Sequence, residues 1–578
     1  IFILFLGNFF QVKLLWQNLP EVSEIVLDAE SDNKLVSVLS GAKNVISGEA
    51  ELPGSPGRWY FSASRPILPD GPDTPIAEFP YFSFLYGDLH PHLLTMPFYA
   101  LGFGWCLTLL LSSSHKQKWY QQILPLVLAG LIFGMYRVSH TWDFPIFISL
   151  GTLSLFWMIS KDKMLLLENQ IRKILTYTTI FIGLSIILYL PFSQWFKTAY
   201  NSIEIWDGAK TPLGDYFIVF GMSIFIMFGY LLDEIITDMV RNIKCWKKLQ
   251  LGQIVVPFVL ILVSVAGSVA LWNINFQVLA FGWPLLIVWT WIIFIKKGVG
   301  DFRKLIWIMF AGGYLITFVV EVVVLKGDVG RSNMVFRMYN LAWFILGLAM
   351  SLGLVEIRRN LKNWPKIYEY IWLFIFVILL FLGLTYQMTA TDKKMNDRWP
   401  NVDNPPKTLD GSLFMLGNLG GDGTNTPAIY KENEVDIDLS LDYDGIKFMQ
   451  DNIVGSPVIV EGHTSEYRWG GRYSIYTGLP SVIGWSWHTR QHNSLLDRAV
   501  VDRRIEQVNE FYNTTDIHIA KEFLDRYRVN YIIVSGLERA YYTPEGLDKF
   551  NVMANQGELT IVFGDLEKES AIIYEVSD

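Results

Sequence analysis

Apolar residues along this chain fall in long blocks broken by short polar stretches. Most blocks run about 20 residues, the length at which a helix crosses the hydrocarbon core of a bilayer. They lie near 92–113, 121–140, 144–159, 172–191, 215–236, 254–272, 275–295, 304–325, 338–357 and 367–388, which predicts ten complete spans. Residues 1–16 read as the end of an eleventh, truncated span. The run opens on Ile1 inside an apolar stretch, with neither Met nor a basic leader, so further helices are expected upstream. The predicted fold class is a polytopic α-helical membrane protein.

Polar positions set the orientation. Loops 114–120, 160–174, 237–253, 296–304 and 358–366 carry eighteen Lys and Arg, whereas the alternate loops 137–143, 192–214, 273–274 and 326–337 carry six. Short basic loops stay cytoplasmic, so the second set, together with residues 17–91 and 389–578, is expected outside. Residues 17–91 hold 11 acidic and 4 basic side chains, and residues 389–578 hold 30 and 18. Acidic outer parts argue against a nucleic-acid partner.

Beyond the spans the pattern changes twice. Residues 17–91 are rich in Pro and Gly and predict an irregular outer loop with short helices over the membrane surface. The spans occupy 92–388, and residues 389–439 read as an outer linker. Residues 440–578 predict an extracytoplasmic α/β domain: a helix in "DYDGIKFMQDNI", a strand in "SPVIVEG", a helix in "TTDIHIAKEFLDRYR" capped by Thr514 or Thr515, a strand in "VNYIIVSG", and a hairpin-like pair in "TIVFGDLEKESAIIYEV". A helix followed by a strand of four consecutive apolar residues predicts a partly parallel sheet covered on both faces.

Composition adds a constraint: at 51% hydrophobic and 18% charged over 578 residues, the chain is too apolar for an ordinary soluble enzyme. Its two cysteines, Cys106 and Cys245, build no disulfide framework.

The polar clusters gather on the expected outer side. In "GDLHPH", Pro91 suits the first turn of a helix and pushes His90 toward extended backbone. Asp88 and His90 then share a side and, with His92, suit a divalent cation or a phosphate; the other reading is a helix cap amid interfacial aromatics. "VSHTWDFP" puts His140 and Asp143 at a second helix end, where Asp143 reads as an N-cap ahead of a catalytic role. "EVVVLKGDVGRSNMVFRMYN" carries Glu321 inside a predicted span, then Asp328, Arg331 and Arg337. Arginine grips phosphate bidentately, while a Glu321–Arg salt bridge is the structural alternative. Residues 461–492 group Glu461, His463, Glu466, Arg468, Arg472, Trp485, Trp487, His488, Arg490 and His492, aromatic and charged groups that suit sugar recognition or packing onto the membrane domain.

With these residues on the page, the chain resembles the YYY family of large integral membrane proteins of archaea and chloroflexus-type bacteria. The resemblance rests on "GN" at 7–8, "SRPI" at 64–67, "TPIAEFPYFSFLYGDLHPHLLTMPF" at 74–98, "TWDFP" at 141–145, "RSNMVFRMY" at 331–339, "TLDG" at 408–411, "RYSIYTGLPSVIGWSWH" at 472–488 and "YRVNYIIVSGLER" at 527–539. No Tyr-Tyr-Tyr triplet occurs; the part that bears it is expected upstream of Ile1. In layout the family is similar to the C-type (GT-C) glycosyltransferases, which move sugar from a polyprenyl-phosphate carrier on the outer leaflet.

The resemblance implies a multi-pass protein of the cell membrane, with 17–91 and 389–578 extracytoplasmic. It implies a polyprenyl-phosphate-linked sugar donor and a glycan or protein acceptor. The principal acid is expected upstream; of the residues present, Asp88 and Glu78 are the catalytic candidates, and Asp88, His90 and His92 the candidates for a divalent metal, Mg or Mn. Arg331, Arg337 and Arg65 would bind phosphate. Asp143, His140, Glu321, Asp328, Arg468, Arg472, Trp485 and His488 would bind substrate. The rival readings are a transporter or flippase, which needs a polar path although the mid-span ionisable residues are few, chiefly Asp233, Glu234 and Glu321, the first two near the inner end, and a non-catalytic envelope-assembly protein.

Overall fold

The computed structural model describes all residues except 24–33, 69–73, 88, 112–118, 162–165, 197–201, 243–250, 297, 327–329, 400–406, 420–424, 494–495, 569 and 578. Two compact units result: Ile1–Gln194 with Tyr200–Lys394, and Trp195–Ala199 with Met395–Asp578.

The first unit is helical. Among the described residues seven helices are long and apolar enough to cross a membrane: Pro91–Leu111, Asp143–Ser160, Leu213–Asp238, Gln277–Ile295, Asp301–Val319, Ser332–Asn363 and Lys366–Arg398. Two more of the predicted ten are shorter apolar helices, Ile123–Ser139 and Val259–Asn273. We label the helices used below α1 (Pro91–Leu111), α2 (Trp119–Ser139), α3 (Asp143–Ser160), α4 (Leu213–Asn242), α5 (Asp301–Val319), α6 (Ser332–Asn360) and α7 (Lys366–Arg398). A short antiparallel pair, β1 (Ile203–Ile205) and β2 (Val323–Leu325), ties the loop before α4 to the chain leaving α5.

Burial differs sharply between these helices. On α6, Val335, Leu341, Ala342, Leu346 and Ala349 are all buried, and it packs against α5, α4 and α1. On α7, Ile367, Ile371, Phe374, Val377 and Phe381 stay exposed, as an apolar surface facing lipid would be. The opening run, predicted as part of a span, is a turn followed by the helix Phe10–Asn18. The span predicted over 304–325 ends at Val319, so Glu321 sits beyond the helix, in the turn before β2.

One end of this unit carries a buried ion network. Arg303 donates to Asp233 at 2.8 Å and to Glu234 at 2.9 Å, Lys296 donates to Glu234 at 2.6 Å, and Asp233 also accepts from Asn360 and the Trp364 indole. These residues sit at the ends of α4, α5 and α6 that adjoin the basic loops, so the carboxylates pair with positive charge that orientation already places there.

The second unit contains a four-stranded mixed sheet. In chain order its elements are α8 (Leu439–Asn452), β3 (Val458–Val460), α9 (Arg498–Asn513), α10 (Ile517–Tyr527), β4 (Val529–Val534), α11 (Gly536–Tyr541), α12 (Pro544–Asn555), β5 (Leu559–Phe563) and β6 (Ile572–Val576). The strand order is β3-β4-β6-β5, with β3 and β4 parallel and the other pairs antiparallel. Side chains alternate across the sheet. Val460, Ile532, Val534, Ile572 and Tyr574 pack against α9, α10 and α12, whereas Ile459, Ile533 and Ile573 pack with α8 and α11 residues. The α10 cap is Asp516, whose carboxylate accepts from the His518 amide; Thr514, predicted for that role, accepts from the Asp516 amide one step earlier.

Lys549 is the strained choice in this core. Its ammonium reaches the carbonyls of Tyr512 and Gly546 and the rings of Phe550 and Phe511, with no carboxylate partner among the described residues, and burial pulls it down to about 7 from 10.5. Between those values the folded unit binds fewer protons than the unfolded chain, so stability rises with pH across that window and the penalty is full below it. Lys549→Met should therefore raise the unfolding temperature at pH 6 and narrow its gap to wild type toward pH 10, measured by thermal scans of the full chain. An equal gap at both pH values would show that the amine is not held neutral.

Candidate functional site

At the end of the helical unit away from the Arg303 network, α1, α3 and α6 begin and α2 and α5 finish. Pro91 opens α1 as its sequence position suggests, and the His90 carbonyl accepts from the amides of Leu93 and Leu94 in the first turn. Just upstream the helix Pro80–Tyr86 ends on Gly87 in the left-handed conformation, which turns the chain back toward α1.

That turn builds the first cluster. His92, 2% exposed, holds Nε2 3.4 Å from Glu78 and 3.3 Å from the Ser83 hydroxyl, and Ser83 donates to Glu78 at 2.9 Å. Its Nδ1 has no hydrogen-bond partner among the described residues. Arg65 lies in the field of Glu78 while its guanidinium donates to Ser64 and stacks on Phe61; burial lowers its pKa. His90 is exposed, its ring 5.7 Å from that of His92. Asp88 and Asp328 lie outside the described residues. Among those described, no group of three or more His, Cys, Asp or Glu is spaced to hold a metal ion, and His92 is directed to Glu78.

The second cluster corrects the cap predicted at Asp143. This residue is the first of α3, is fully buried, and makes no side-chain capping bond. Instead Oδ2 accepts from the Tyr99 hydroxyl at 2.6 Å and lies 2.8 Å from His140 Nδ1, an ion-pair distance off the line of a hydrogen bond. Asp143 Oδ1 and His140 Nε2 have no hydrogen-bond partner among the described residues. His140 is among the groups whose charge acts on His92, so the two clusters are electrostatic neighbours.

Helix α6 joins them. Phe336 sets its ring edge-on to His92, with centroids 4.3 Å apart, and Phe344 meets Tyr99 at 5.5 Å. Midway on that stripe, four residues from each, is Asn340, fully buried with neither amide atom hydrogen-bonded among the described residues. The stripe touches His92 through Phe336 and, through Phe344, the Tyr99 that bonds Asp143, with Asn340 between those two contact residues. Sequence reasoning missed Asn340, although a lone amide in the apolar run "MYNLAWF" is a visible intramembrane polar signal.

The arginines behave differently from the prediction. Arg331, at the N-cap of α6 and 0% exposed, binds Glu321 at 2.8 Å. Glu321 also accepts from the Thr211 amide and hydroxyl. The charge meant for phosphate is thus neutralised, the salt-bridge alternative raised above. Arg337, half-buried, is six residues on and off the face that bears Arg331.

In the second unit Arg472 is buried and bonded to Asp442, Glu538 and Ser535, with Glu461 3.5 Å away. One guanidinium faces three carboxylates, and burial pushes Glu461 up to about 7. Arg472 therefore holds the core instead of lining a surface. Arg468 is exposed beside Glu432, 3.7 Å away. Trp485 donates to the Gly470 carbonyl, and its ring lies 5.7 Å from His488 and 5.2 Å from exposed Tyr467, which leaves an aromatic surface group at 467–488.

The membrane cluster can take up and hand on a proton through a carboxylate-backed imidazole, and can hydrogen-bond polar groups of a ligand through Asn340 and Asp143. Residues 1–346 match the family model described as Uncharacterized membrane protein (DUF2298). No curated protein matches the chain.

An unpaired buried amide costs about 1–3 kcal/mol. Asn340→Leu, which keeps the branched skeleton without its polar atoms, should thus raise the unfolding temperature of the detergent-solubilised chain, while Asn340→Asp should lower it. A lower unfolding temperature for the leucine variant would mean that Asn340 is bonded in the native protein.

Proposed function

The chain belongs to the uncharacterised membrane protein family DUF2298, and from that premise we propose that it is a membrane glycosyltransferase. It moves a sugar from a polyprenyl-phosphate carrier to a glycan or protein acceptor on the outer face of the cell membrane. The observation that carries the reading is the Glu78–His92 dyad and the His140–Asp143 pair near the helix ends opposite the basic loops, with the unpaired Asn340 of α6 between the contact residues Phe336 and Phe344. The similarity in layout to C-type glycosyltransferases adds support.

In this reading the acceptor hydroxyl attacks the anomeric carbon, the carbon–oxygen bond to the lipid phosphate breaks, and the phosphate leaves on the polyprenyl chain. Glu78, backed by His92, takes the acceptor proton. Asn340 and Asp143 hold sugar hydroxyls, with His140 and Tyr99 fixing the Asp143 carboxylate. The departing phosphate meets Arg65 and the positive end of α1. Arg331 and Glu321 hold α6 in register and make no contact with phosphate. In the second unit the aromatic group at Tyr467, Trp485 and His488 suits sugar by itself, its rings packing on sugar faces.

The test is transfer of a labelled sugar from a synthetic polyprenyl-phosphate donor by the full-length protein in vesicles. His92→Ala should lower the rate about 10²-fold or more, the scale of a lost acid–base group, with the unfolding temperature near wild type. Wild-type turnover in that variant would refute the assignment. A chain that moves the lipid-linked donor across the bilayer without transferring sugar would instead be a flippase.

A further inference from the structure

We propose that the helix Lys34–Ser47 lies in the membrane surface with its outer stripe among lipid acyl chains, in place of running over the bilayer in water. The helix is built inside out. The side chains it turns to the protein are small or polar: Ser37, Gly41 and Asn44 are buried. Asn44 donates to the Val22 carbonyl at 3.0 Å, and a Cβ on Gly41 would stand 2.0 Å from the Leu19 carbonyl oxygen, so the helix is pressed against the 3₁₀ turn Leu19–Val22 by its polar face.

The opposite stripe is apolar and uncovered. Leu35, Leu39 and Ile46, at i, i+4 and i+11, are 54%, 61% and 86% exposed. A helix in water shows the reverse arrangement, with apolar residues on the protein and polar ones outside. Leaving three such side chains in water forfeits about 1.5–3 kcal/mol each relative to an apolar environment. Lipid satisfies both faces at once. The flanks agree: Lys34 stands 5.9 Å over the ring of Trp16, itself 42% exposed, and Lys43 is exposed at the edge of the stripe. Trp and Lys collect at the boundary between headgroups and acyl chains. A helix of this kind sinks its apolar face about 5–10 Å into that boundary. Lipid is favoured over a second copy of the chain because Lys34, Trp16 and Lys43 rim the stripe as interfacial anchors do. The inference stands whether or not the chain transfers sugar.

Single cysteines at Leu39, Lys43 and Glu49, all exposed, can be labelled with an environment-sensitive fluorophore in the full-length protein carrying Cys245→Ser, reconstituted in phosphatidylcholine–phosphatidylglycerol vesicles. The label at Leu39 should show a blue-shifted emission, quenched by spin-labelled lipid and unaffected by iodide. The label at Glu49 should be quenched by iodide. Equal iodide quenching at both positions would overturn the proposal by putting the stripe in water. Shielding of the Leu39 label from both quenchers would also overturn it, by showing that protein covers the stripe.

Discussion

Charge that leaves water must be paired, and α6 is held at both ends by that rule. At its start Arg331 and Glu321 form a buried pair, with Thr211 filling the second carboxylate oxygen; at its finish Asn360 joins the Asp233–Arg303 network. Removing one partner from such a pair leaves a stranded charge, which destabilises by about 3–5 kcal/mol. The pairs therefore set the position of α6 along its axis, and with it the stripe Phe336, Asn340 and Phe344 that carries the candidate site. A shift of one turn, about 5.4 Å, would take Phe336 off His92 and Phe344 off Tyr99.

This explains how the site can tolerate loose ends. Asn340, His92 Nδ1 and Asp143 Oδ1 lack hydrogen-bond partners among the described residues, although each is buried. Unsatisfied polar atoms in a low-dielectric interior are normally removed by repacking. Here the ring contacts of Phe336 and Phe344 and the two terminal ion networks fix the surroundings, so the polar atoms cannot relax toward one another. The stacked Tyr99, Phe147 and Tyr136 rings brace the same wall.

Local signals were legible in the sequence where they are local in physics. Apolar block length placed most long helices, Pro91 marked the start of α1, and alternation with turn residues marked the strands from Val529 onward. Long-range pairing was not legible. Asp143 looks like a cap because it precedes an apolar run, yet Tyr99 of α1, 44 residues away, claims its carboxylate. Arg472 looks like a surface ligand in an aromatic loop, yet carboxylates from α8 and α11 draw it inward. Glu321 read as a residue within a span because apolar β2 continues the block past the helix end at Val319. For Asp143 and Arg472 the cause is the same: the side chain's partner was far off in sequence, and local spacing carries no information about it.

The same contrast bears on chemistry. Two arginines near one helix start suggest anion binding from sequence alone, but a buried guanidinium already matched to a carboxylate has no charge left over for a ligand. Of the three expected phosphate groups, Arg331 is spent on Glu321, whereas Arg65 is only half-buried and near the Glu78–His92 dyad. The guanidinium near the Glu78–His92 dyad is therefore that of Arg65, while that of Arg331 is matched to Glu321.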